Sequence, residues 1–201
     1  MKLFYSSGSC SMSPHIALLE SGLKFELEKV DLATKRTPTG DFNKVNPKGY
    51  VPALLLDNGQ LLTEGAVIVQ YIADQKPEMN LLPKTGTFER YRAQEWLNFV
   101  ATEVHKGFSP LFNKDIPELM AKTVRDKLTK RFDFLAEHFT KNNFLMGTQY
   151  SVADGYLFTV MSWSDNLKFD LTKWPVLLGF MERVKIRPAT QTAMKTEGLL
   201  K

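Results

Sequence analysis

A single cysteine in 201 residues excludes an intrachain disulfide. Without a Cys-x-x-Cys pair, dithiol redox chemistry is excluded too. Histidine is also scarce. His15, His105 and His138 fall in separate predicted helices with no ligand-type spacing, so no metal site is expected. Neither a P-loop nor a GxGxxG phosphate loop occurs. No run reaches the ~18 apolar residues that span a membrane. Met1 to Tyr5 is too short an apolar stretch for a signal peptide, and Ser-Ser-Gly-Ser follows it. The expectation is a cytoplasmic protein in a reducing cytosol, with no membrane partner. Charge of one sign is not concentrated either: 26 basic residues face 22 acidic ones, a net +4. The densest basic patch, Lys127 to Arg131, holds apolar residues at helical spacing. A solvated helix face accounts for it, and no nucleic-acid partner is expected.

What is present is a core: 43% of residues are hydrophobic and 24% charged, a globular composition. The chain changes character along its length. Lys2 to Tyr5 reads as a strand and Ser6 to Ser13 as a small, polar loop. A helix follows, with Ser13 as N-cap, Pro14 at its first position and Gly22 as its stop. Phe25 to Val30 alternates like a strand, and Asp31 to Asp41 reads as a loop. Asn46 to Gly49 is a turn before an apolar strand, Val51 to Leu56. Asp57-Asn58-Gly59 then turns the chain so that Gln60 to Leu62 pairs back. Glu64-Gly65 opens a helix carrying Ile68, Val69 and Ile72. The order β-α-β then β-β-α predicts an α/β domain with a small mixed sheet. Past a linker near Pro77 to Gly86, no strand signal remains. Phe88 to Phe108, Met120 to Thr140, Ser151 to Leu167 and Trp174 to Lys185 all read at helical spacing. The expected division is an α/β domain at 1–77, a linker at 78–86 and an all-helical domain at 87–201.

Several residues could carry chemistry, and each has a plainer reading. Pro52 sits inside an apolar strand, where it cannot donate to a ladder. If the Val51-Pro52 bond is cis, the Val51 backbone could pair with an extended peptide-like ligand. Only ~5% of X–Pro bonds are cis, so an ordinary edge-strand proline is the simpler account of that residue alone. Glu64-Gly65 lies at a helix start, where free N–H groups attract anions and a carboxylate could meet an ammonium. Capping by an acidic residue is the plainer account. Cys10 precedes a helix N-terminus, an environment that lowers a thiol pKa; an inert buried cysteine is the alternative. Asn98, Thr102 and His105 share one helix face, with Lys106 beside them, and form either the wall of a cleft or a solvated stripe. Ser151-Val152-Ala153-Asp154 is a capping box with a folding role.

Together the segments Met1-Lys-Leu-Phe-Tyr-Ser-Ser-Gly-Ser-Cys10-Ser, Val45-Asn-Pro-Lys-Gly-Tyr-Val-Pro-Ala-Leu54 and Leu62-Thr-Glu-Gly-Ala-Val-Ile-Val-Gln-Tyr71 resemble the cytosolic glutathione transferases. So do Glu95-Trp-Leu-Asn-Phe-Val-Ala-Thr-Glu-Val-His-Lys-Gly-Phe108 and Ser151-Val-Ala-Asp-Gly-Tyr156. The Cys10 loop and the Thr-Glu-Val-His-Lys stretch are similar to the bacterial beta class. The resemblance implies a thioredoxin-like N-terminal domain, a C-terminal helical bundle domain and a homodimer. It implies an enzyme that conjugates reduced glutathione, its co-substrate, to small hydrophobic electrophiles. Through Cys10 it also implies thiol–disulfide or peroxidase chemistry. By the same resemblance Pro52 is cis and Val51 pairs with the cysteinyl backbone of glutathione. Glu64 and Gly65 hold the γ-glutamyl end, and Lys35 reaches the glycine carboxylate. Cys10, Ser11, His105 and Lys106 surround the sulfur, while Asn98, Thr102 and Glu103 help bind the tripeptide. Two positions depart from the pattern: Tyr50 stands where relatives often carry Gln, and Gly65 replaces a common serine. A non-enzymatic protein-binding or ligand-carrier role on the same fold is the alternative.

Overall fold

The computed structural model describes residues 1–200. Contacts divide them into two units, residues 1–82 with 187 onward, and residues 83–186. The expected all-helical segment ran to the end of the chain; by its contacts the stretch from Arg187 groups with the first unit instead.

The first unit is built on a four-stranded sheet in the order β2-β1-β5-β6, from β1 (Lys2–Tyr5), β2 (Glu26–Lys29), β5 (Ala53–Leu55) and β6 (Leu61–Thr63). β1 runs parallel to β2, with Phe4 level with Glu28, and antiparallel to β5. The right-handed α1 (Met12–Ser21) makes the parallel crossover that such a pair requires. Side chains alternate across the sheet. Phe4 faces a cluster of Val30, Phe42, Val51 and Ala53, in which Phe42 opens the short α2 (Phe42–Val45). Leu3 and Leu54 lie on the opposite face and are fully buried, as are Ile16, Ile68 and Ile72 from α1 and α3 (Gly65–Asp74).

Three local expectations shift. α1 begins at Met12 rather than after Ser13. Its N-cap, Ser11, makes no side-chain cap because its hydroxyl is already engaged with Ser6 and Ser9. The 31–41 stretch is more ordered than a plain loop: β3 (Arg36–Thr37) and β4 (Gly40–Asp41) form a two-residue hairpin. The last helix, α10 (Pro188–Thr196), was not anticipated. It is anchored to α1 by a two-pronged ion pair from Arg187 to Glu20, at 2.6 and 2.9 Å.

The second unit is helical. α4 (Phe88–Phe99) runs into a π-helical stretch, Val100–His105, and then α5 (Lys106–Phe108). The expected single helix is therefore continuous but locally underwound. α6 (Glu118–Phe139), α7 (Val152–Met161), α8 (Trp163–Asn166) and α9 (Pro175–Lys185) complete it. All ten residues of α7 are buried, which makes it the core helix. Its capping box forms as expected, the Asp154 carboxylate accepting from the Ser151 N–H and hydroxyl at 2.8 Å each and from the Leu145 N–H at 2.7 Å. Among the described residues no helix is long and apolar enough to cross a membrane, and no acidic, His or Cys cluster could hold a metal ion.

Candidate functional site

In the first unit, the loop after β1 and the turn before β5 come together. Ser11 is fully buried and organises the loop: its hydroxyl donates to the Ser6 carbonyl, accepts from the Ser6 N–H at 3.0 Å and bonds Ser9 Oγ at 2.7 Å. It is a scaffold for its neighbour rather than an open side chain. That neighbour, Cys10, is partly exposed, and its thiol donates to the Val51 carbonyl at 3.4 Å. Gly8 takes φ +69°, which a side chain would resist, and its N–H donates to Glu197 at 2.9 Å. The same carboxylate meets His15 Nδ1 at 2.9 Å, both groups almost completely buried. The loop carrying Cys10 is thus pinned from beneath by a residue nearly 190 positions away.

The Val51-Pro52 bond is cis, as the resemblance implied. The turn leading to it is built by Asn46, whose amide donates to the Tyr50 carbonyl at 2.7 Å and accepts from the Lys48 N–H. Gly49, at φ +68°, presents its carbonyl to the Lys35 ammonium at 2.8 Å. Lys35 itself sits in the left-handed region at φ +57°. Beside them Glu64 adopts φ +70° and ψ 111°, a conformation a side chain disfavours. The simple capping account of Glu64 fails, since its side chain makes no cap. The carboxylate turns instead to Lys48 at 2.7 Å and the Tyr50 hydroxyl at 3.1 Å, and it is half exposed. Gly65 follows as the first residue of α3, where backbone N–H groups collect partial positive charge. An acid at the head of a helix can receive an ammonium while the first N–H groups of the helix receive a carboxylate.

Tyr5 ends β1, just before this loop. Burial, and then the Glu197 charge, hold its phenol above its ordinary pKa.

In the second unit, His105 closes the π-helical stretch. Its Nδ1 lies 2.7 Å from the Tyr156 hydroxyl, and its ring packs edge-on against Trp163 with centroids 5.0 Å apart. Phe112, 51% exposed, also packs edge-on against Trp163, with centroids 5.2 Å apart. Phe108 is fully buried against Phe132 and Phe169 and belongs to the core. Lys106, Asn98 and Thr102 are exposed, and the Thr102 hydroxyl is taken up by the Asn98 carbonyl at 3.0 Å. Glu103 is paired with Arg131 of α6 at 2.5 Å. π-Helical turns recur at functional positions, and this one ends on the one histidine of the polar stripe.

Residue types alone did not reveal Tyr156, Lys48 or Asn46. Tyr156 lies in an apolar helix, where a tyrosine reads as core. Lys48 and Asn46 lie in an ordinary Asn-Pro turn, whose local bonds leave no trace in composition.

Known proteins share this fold. Residues 8–75 match the model of the glutathione S-transferase N-terminal domain, and residues 99–188 that of the C-terminal domain. The glutathione S-transferase GstA of Escherichia coli O157:H7 is 48% identical over 99% of this chain and all of its own. A sphingomonad glutathione S-transferase solved in complex with glutathione superposes with TM-score 0.96 at 41% identity, with both chains fully covered. The beta-class enzyme of Sphingomonas chungbukensis matches equally well at 43% identity, again over both full chains. Both halves match in order along nearly the whole length, so the chain belongs to the glutathione S-transferase family.

Proposed function

We infer that this protein binds reduced glutathione in its first unit and conjugates it to small hydrophobic electrophiles. The observation that carries this is the meeting of Cys10 and Val51. The thiol donates to the carbonyl of the residue before the cis-proline. That carbonyl is the natural acceptor for the N–H of an added peptide strand. A tripeptide docked there would set its own cysteine beside Cys10. On the same reading, Glu64 takes the γ-glutamyl ammonium, the N–H groups at Gly65 take the adjacent carboxylate, and Lys35 takes the glycine carboxylate. The family resemblance also assigns His105 and Lys106 to the thiolate and Asn98, Thr102 and Glu103 to the tripeptide. Hydrogen bonds and positive potential lower the thiol pKa, each unit being about 1.4 kcal/mol in favour of the thiolate. The thiolate then attacks the electrophile and displaces its leaving group.

A second reading rests on the partial exposure of Cys10. Its thiolate attacks a glutathionylated disulfide, forming a Cys10–glutathione disulfide and releasing the other thiolate. A second glutathione thiolate then frees Cys10 and leaves as glutathione disulfide. Cys10→Ala separates the two readings. Disulfide reduction should be lost while conjugation of a chloronitrobenzene is reduced. Loss of conjugation with disulfide reduction intact would overturn this role for Cys10. A purely non-enzymatic role is not favoured by the relatives GstA and GST-4.5, both named as glutathione S-transferases.

The family's homodimer is part of the same reading. Phe88 and Tyr91 on α4 and Phe134 on α6 are 66, 62 and 50% exposed, an apolar area suited to a second copy. Sedimentation should give twice the chain mass.

A further inference from the structure

Glu28 is the buried acid that none of the roles above uses. It lies on edge strand β2 and is only 5% exposed. Register places it level with Phe4, on the face of the sheet that packs against Phe42. It receives the Lys2 ammonium at 2.9 Å, from the neighbouring strand. Its other oxygen receives the Thr39 hydroxyl. Thr37 joins this contact through Thr39, the two threonine hydroxyls lying 3.2 Å apart. Thr37 and Thr39 belong to the β3–β4 hairpin, so the carboxylate ties that hairpin to the sheet.

The hairpin is the continuation of the Lys35 loop. Asp31 opens the loop, accepting from the N–H groups of Ala33 and Thr34 at 2.8 and 3.1 Å, and its own N–H reaches the Arg36 carbonyl. The Phe42 N–H closes it, donating to the Lys35 carbonyl at 2.8 Å. Lys35 therefore sits at the waist, in left-handed backbone, with its ammonium held at Gly49. Backbone in that region persists only where its surroundings over-determine it. Asp31 and Phe42 fix the two ends, and Thr39 ties the tip of the hairpin to Glu28.

We propose that Glu28 is a positioning residue for glutathione binding: by clasping Thr39 it fixes the loop from which Lys35 reaches the glycine carboxylate. This rests on the assignment of Lys35 above. The clasp touches no reacting atom, so its loss should weaken binding of the glycine end and leave the chemical step alone.

The test uses two thiols, glutathione and γ-glutamylcysteine, which lacks the glycine. Glu28→Gln and Thr39→Val are each compared with wild type, Thr39→Val serving if Glu28→Gln fails to fold. Each should raise KM for glutathione about three- to tenfold, the scale of one misplaced charged contact, with kcat within about twofold. KM for γ-glutamylcysteine should not move, and in a Lys35→Met background the clasp variants should add nothing. Equal rises for both thiols, or no rise for either, would overturn the proposal while leaving Lys35 in its role. If Lys35→Met itself leaves the ratio of the two KM values unchanged, the assignment of Lys35 falls, and the proposal with it.

Discussion

Single residues account for most of the site's tension. Glu64 holds φ +70° without being glycine, which costs on the order of 1–2 kcal/mol. Its exposed contacts to Lys48 and Tyr50 return little of that. A Glu64→Gly variant should therefore be at least as stable as wild type in urea, yet bind glutathione at least about tenfold more weakly, the loss expected for one charge-assisted contact. Unchanged affinity in calorimetric titration would remove Glu64 from the site. Glu28 makes a second residue-scale case. Burial pushes its carboxyl up, but the hydrogen bonds from Thr39 and Lys2 outweigh that and hold it at about 2, against 4.5 unfolded. A depressed folded pKa gives stability that is complete above 4.5 and lost as pH falls toward 2. Glu28→Gln should flatten that part of the acid limb in pH-dependent urea unfolding; an unaltered limb would contradict the assignment. Little of this was legible beforehand. Residue types offered Cys10, Pro52 and Glu64 as candidates, each with a plainer account of equal or greater weight. The strained backbone and the Lys48 and Tyr50 partners are products of folding, not of local sequence.

Elements were legible where one rule governs them. The Asn46 to Gly49 turn, the Asp57-Asn58-Gly59 turn and the Ser151 to Asp154 box all formed as read, because each depends on residues within a few positions. Apolar spacing found Phe88 to Phe108 as helical but could not reveal the π-helical turn inside it, since a period read over twenty residues averages out one widened turn. The β3–β4 hairpin escaped because two residues carry no alternation. The capping box allows a quantitative test. Asp154 satisfies two buried backbone N–H groups and the Ser151 hydroxyl. Asp154→Ala should cost about 3 kcal/mol, adding a lost cap to unsatisfied buried donors. A loss below about 1 kcal/mol, no more than a surface cap is worth, would contradict this. Burial raises the Asp154 carboxyl to about 6, although bonds from Leu145 and Ser151 oppose it. A raised folded pKa gives stability that is complete below 3.8 and lost as pH rises through 6, the reverse of Glu28. Asp154→Asn should remove that decline, and its persistence would assign it to another group.

At the scale of the whole molecule, the end of the chain completes its beginning. Glu197 bonds Gly8 and His15, and Arg187 clamps Glu20 on α1. No reading of local pattern joins positions so far apart, which is why the change from α/β to all-α was legible and the return of the last helix was not. Glu197 is buried and bonds both the Gly8 N–H and the His15 ring, so Glu197→Ala leaves buried polar groups unpaired and should lower stability by about 3 kcal/mol. Because the lost contact is to the Cys10 loop, glutathione affinity should fall as well. A stable variant with unchanged affinity would show that the loop holds itself. The central claim concerns what docks against Cys10 and Val51, and calorimetric titration of the wild-type protein with reduced glutathione at neutral pH tests it most directly. Saturable binding, with one glutathione per chain and much weakened in Glu64→Ala, is the predicted result. No detectable binding to the folded wild-type protein would contradict it.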